Sequence, residues 1–97
     1  MVKHVVMYKL KEATEQNAIA LQQKFLSMKG KIDVLKDIQS GLDVLRSDRS
    51  FDVVLICQFD TMEDMETYRT NEVHLPVMAY VKSVVQESKS VDYIDFV

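Results

Sequence analysis

Phe51-Asp52-Val53-Val54-Leu55-Ile56-Cys57-Gln58-Phe59 is the stretch whose reading decides the fold. Its β-branched and aromatic residues suit a strand, and alternation sets Phe51, Val53, Leu55, Cys57 and Phe59 on one face. Asp52, Val54, Ile56 and Gln58 fall on the other. The opening residues repeat the pattern, with Val2, His4, Val6, Tyr8 and Leu10 on one side and Lys3, Val5, Met7 and Lys9 on the other. Both strands carry apolar residues on both faces, so a single layer of helices leaves one face unsatisfied.

Working outward, Thr14 supplies a hydroxyl N-cap and Glu15 an acidic first turn for a helix. Ala18, Leu21, Phe25 and Met28 form its apolar stripe, and Gly30 is placed to end it. Asp37 to Arg46 reads as a second strand with a bulge or close approach at Gly41, followed by the polar turn Ser47-Asp48-Arg49-Ser50. Asp60 or Thr61 caps a helix reaching Tyr68 or Arg69, and Asn71-Glu72-Val73 interrupts it. Pro76 then sits in the first turn of a further helix whose stripe is Val77, Tyr80, Val81, Val84 and Val85, and Val91 to Val97 closes the chain as a strand. The order of elements implies one α+β domain over residues 1–97. It is ferredoxin-like, a four-stranded antiparallel sheet with helices on one face. The other face presents Val5, Met7, Val54 and Ile56, an apolar patch that a monomer rarely leaves wet. A homodimer packed through that open sheet face, a dimeric α/β barrel, is the expected remedy.

Composition removes several functions. With 12 basic and 15 acidic residues the net charge is −3, which gives no general attraction for nucleic acid or anionic membrane. No apolar run reaches the roughly 18 residues of a membrane helix. The first residues lack the pattern of a secretory signal, and Cys57 is alone, so a cytoplasmic, reducing location is expected. Two histidines without clustered thiolates or carboxylates fall short of a metal site, and no Gly-rich phosphate loop is present. Neither a metal nor a cofactor is expected.

The segments Val2 to Leu10, Gly41-Leu42-Asp43-Val44, Phe51 to Phe59, the Tyr68 to His74 spacing and Val91-Asp92-Tyr93 together resemble the stress-responsive α/β-barrel (Dabb) family across nearly the whole chain. That resemblance implies small ferredoxin-like proteins that pair through their sheets, most without an assigned activity. A plant cyclase of the family closes a linear polyketide by an aldol step, using a Tyr and a His six residues apart. Tyr68 and His74 match that pair, and His4 matches a pocket histidine on the first strand. Where the family often carries His-Pro-x-His, this chain has Asn71-Glu72-Val73-His74.

Two functional readings follow. In one, a small apolar or aromatic molecule binds between sheet and helices, against His4, Val6, Tyr8, Leu55 and Cys57. In the other, a cyclase or lyase acts on a small carbonyl compound, with His74 as general base and Tyr68 as hydrogen-bond donor to the developing oxyanion. The structural alternatives are that His74 caps a helix, Tyr68 packs its ring, His4 is a satisfied core histidine and Cys57 is a small core residue.

Overall fold

The structure, a computed structural model, describes residues 1–96. Strand β1 (Val2–Leu10) leads into helix α1 (Glu15–Leu26), and β2 (Asp37–Leu42) and β3 (Val53–Phe59) follow. Helices α2 (Met62–Arg69) and α3 (His74–Val84) precede β4 (Val85–Ile94). The sheet runs β2-β3-β1-β4 with every neighbouring pair antiparallel, so β1 and β3 occupy its centre. This is the expected ferredoxin-like α+β architecture.

Local chemistry starts each helix. Thr14 Oγ1 accepts from the Asn17 amide at 3.1 Å, and Thr61 Oγ1 accepts from Asp64 at 3.0 Å, each satisfying a donor that the helix itself leaves free. In α1, Ala18, Leu21 and Phe25 are buried, and Met28 completes the stripe just beyond the helix. Gly30 adopts the left-handed conformation, at φ 76°, that reverses the chain. The core joins these residues to Val6, Tyr8, Leu55, Cys57 and Phe59 from the sheet and Val77 and Val81 from α3.

Four expectations are corrected. Gly41 makes no bulge: it pairs in unbroken register with Val54, and a Cβ there would meet only ordinary contact at 3.6 Å. Strand β2 ends at Leu42 rather than Arg46 because the Asp43 carboxylate accepts from the Arg46 amide at 2.7 Å, folding the chain into a turn with Arg46 at φ 55°. The alternation of β3 does not extend back to Asp52 and Phe51. Asp52 is buried, accepting from the Leu10 amide at 2.7 Å and from Arg46 Nη2 at 2.7 Å, while Phe51 lies beneath the Lys9 ammonium at the open face.

The largest difference concerns the last strand, which begins at Val85, not Val91. Val85 belongs to the strand and not to the helical stripe because the Lys11 amide binds the Val84 carbonyl at 2.9 Å and Leu10 pairs with Val85. The end of β1 thus captures the chain as it leaves the helix. Val97, the last residue of the expected strand, lies outside the described residues.

Candidate functional site

Beneath α3, between the helices and the β1 and β4 half of the sheet, lies a cavity of about 490 Å³. Val6, Tyr8 and Leu55 form its sheet wall, with Phe25, Val77, Met78 and Val81 opposite; His4, Tyr68 and His74 are among its polar residues, with Arg69, Lys82 and Glu87. Of the residues singled out in the sequence, Cys57 alone does not line it. The reason is packing: Cys57 is completely covered, and its thiol donates to the Tyr68 hydroxyl at 3.8 Å from behind. Burial also raises its pKa to about 12, so it is a core residue rather than a nucleophile or a ligand contact.

Tyr68 sits in the last turn of α2, its ring packed on Phe59 at 5.0 Å and on His74 at 4.2 Å between centroids. Burial holds its phenol far above the ordinary range, so it stays protonated. Because its oxygen accepts from Cys57, its own proton is available for donation. Tyr8 is likewise raised by burial and remains a phenol.

His74 is placed by the broken segment before it. The Asn71 side chain accepts from the Val73 amide at 2.8 Å and the Asn71 carbonyl accepts from the His74 amide at 3.0 Å, which starts α3 at His74. Its Nδ1 lies 3.0 Å from the Arg69 carbonyl. A carbonyl only accepts, so Nδ1 carries the hydrogen and, in the neutral ring, Nε2 holds the free lone pair. Burial lowers the His74 pKa against the opposing effect of the Arg69 carbonyl, and the proximity of His4 adds to the lowering. At neutral pH the imidazole is therefore uncharged.

His4 is half-buried on β1, and its Nδ1 bonds the carboxylate of Asp92, its register partner on β4. The sequence places Asp92 on the last strand, but not opposite His4, because only the register of β1 against β4 decides that pairing. The available signal was the polar alternation Ser88, Ser90, Asp92 on the face that pairing gives to Val6 and His4. Arg69, Lys82 and Glu87 were also not anticipated at the cavity. No group of three or more His, Cys, Asp or Glu suited to a metal occurs among the described residues, and none of their helices is long and apolar enough to cross a membrane.

No curated protein matches the chain. Among solved structures, a dimeric protein of unknown function and ferredoxin-like fold from Bacteroides fragilis superposes with a TM-score of 0.78 at 24% identity, covering 95% of this chain and 93% of that one. A protein from Arabidopsis thaliana gives 0.85 at 17% identity, with 100% and 97% covered. The hydroxynitrile lyase of Passiflora edulis gives 0.82 at 15% identity, with 99% and 94% covered. At these identities the likeness establishes the fold. Residues 2–95 match the sequence profile of the stress-responsive A/B barrel domain, and this chain belongs to that Dabb family.

Proposed function

We propose that this protein is a cytoplasmic homodimer that binds a small, largely apolar or aromatic molecule bearing a carbonyl or hydroxyl group. The observation that carries the reading is the meeting of His4, Tyr68 and His74 on one cavity whose lining also includes the aliphatic and aromatic residues Val6, Tyr8, Phe25, Leu55, Val77 and Val81. Such a site buries the body of a ligand and orients it through a few polar contacts. Self-association is supported by the open face of the sheet, where Val5, Met7, Val54, Ile56, Val91 and Tyr93 lie side by side across three strands. The Bacteroides fragilis protein of the same fold is itself dimeric.

A second reading, as a lyase or cyclase, is favoured by the hydrogen bond that fixes the His74 tautomer. With Nδ1 bound to the Arg69 carbonyl, Nε2 is the atom able to take a proton from a carbon next to a carbonyl. The electron pair left behind moves onto the carbonyl oxygen, where the Tyr68 hydroxyl donates to the developing charge. The Asp92 carboxylate orients His4 beside them.

A thermal-shift panel of small aromatic aldehydes, ketones and phenols tests binding. A ligand at about 100 times its Kd stabilises the folded state by roughly 2.7 kcal/mol, which is several degrees for a domain of this size. No shift with any compound defeats the binding reading. For catalysis, the protein should exchange the α-hydrogens of a bound ketone for deuterium, and His74→Gln should abolish the exchange while binding persists.

A further inference from the structure

We infer that the molecule held in this cavity is an acid, an apolar body ending in a carboxylate, and that Arg69 and Lys82 receive the carboxylate at the mouth. The inference rests on the reading of the cavity as a binding site and adds the charge of its occupant. Arg69 ends α2 and Lys82 lies in the last turn of α3, and both are exposed residues of the cavity lining. In a chain of net charge −3, this lining sets two cations against the single carboxylate of Glu87, a local departure from the overall field that draws anions toward the cavity.

Neither cation is committed elsewhere. Arg69 meets Glu66 through a single 3.4 Å contact between side chains that are both mostly exposed, an arrangement that a ligand readily replaces. Lys82 has no ion-pair partner among the described residues. The carboxylates nearby are themselves engaged: Glu87, in the same lining, lies 3.6 Å from Lys89, and Asp92 is bonded by His4. Inside, the polar points are a neutral His74, protonated phenols and His4, whose Nδ1 is already bonded to the Asp92 carboxylate. The charged end is thereby directed outward, where it keeps much of its hydration while the apolar body fills the interior. The planar Arg69 guanidinium matches a carboxylate, and the two glycines of the chain, Gly30 and Gly41, lie outside this lining, so no Gly-rich phosphate cradle is present.

The test compares 4-phenylbutanoate with 4-phenylbutanamide, equal in shape and different in charge, by titration calorimetry of the full chain at pH 7.5. The acid is expected to bind about tenfold more tightly, as two partly exposed charge contacts imply, and to lose part of that advantage at high salt. In the Arg69→Gln, Lys82→Gln double variant, shown to be folded by its circular dichroism, the preference for the acid over the amide should vanish. Equal affinities for acid and amide in the unmodified protein, or a preference that survives in the variant, overturn the charge assignment and leave the cavity reading standing. Binding of neither compound counts against both.

Discussion

The two faces of the one sheet use similar residues to different ends. On the helix-covered face Leu55 is 2% exposed and Val6 6%, whereas on the open face Met7 remains 43% and Val91 56% exposed. Leu55 and Ile56 are adjacent in sequence and point to opposite sides. The covered face derives its stability from within the chain, and spends part of its area on a cavity instead of filling it. The open face has no such cover from its own helices, and its unburied side chains become useful on contact with another surface.

The sharpest way to break this comparison is to place the same change on both faces. Leu55→Ala should destabilise the chain by about 2–5 kcal/mol, since it removes buried side-chain volume beside a cavity that cannot collapse fully. Leu55→Asp should unfold it. Ile56→Asp should instead leave the circular dichroism of a folded chain while light scattering reports the mass of a monomer, because an unpaired charge buried between two sheets costs about 3–5 kcal/mol. A variant at position 56 that remains dimeric would place the contact elsewhere.

A smaller effect distinguishes the interior of the covered face from its rim. The Cys57 thiol, with its pKa near 12, should resist iodoacetamide at pH 8 and react at once in urea. The sign for stability follows. The unfolded thiol ionises from about pH 8.5 and the folded one only near 12, so its contribution is complete below that window and declines as pH rises through it. Ready labelling of the native protein would mean that the covered face opens.

The smallest effect comes from His74. Its folded pKa is lowered, so below about pH 6.5 the unfolded chain takes up the proton first. Stability is full above that value and falls as the solution is acidified toward the folded pKa. Urea midpoints measured from pH 7.5 to 5 should slope less in His74→Phe than in the unmodified protein. Equal slopes would show that burial does not hold the imidazole neutral.

Much of the site was legible because strand alternation is a strictly local property. Once Val2 to Leu10 is a strand, His4, Val6 and Tyr8 share a face, and the same rule brings Leu55 and Cys57 together. The start of β4 escaped because α3 passes into it without a glycine or proline between Val84 and Val85, and the pairing of Asp92 with His4 escaped because it depends on the strand register. Asp52 escaped for a related reason. Alternation assigned it to the outward face, yet the unpaired amide of Leu10 and the guanidinium of Arg46 make an inward carboxylate the better hydrogen-bonded solution.

Sequence alone determined the order of the elements, the Thr14 cap and the apolar stripe of α1, because these depend on neighbours within a few residues. Only the tertiary structure decided that Tyr68 screens Cys57 from the cavity, that the Arg69 carbonyl fixes the His74 tautomer and that Asp92 meets His4 across 88 residues of chain. Those contacts depend on register and helix placement, which are set by packing of the whole core, and no local pattern records them.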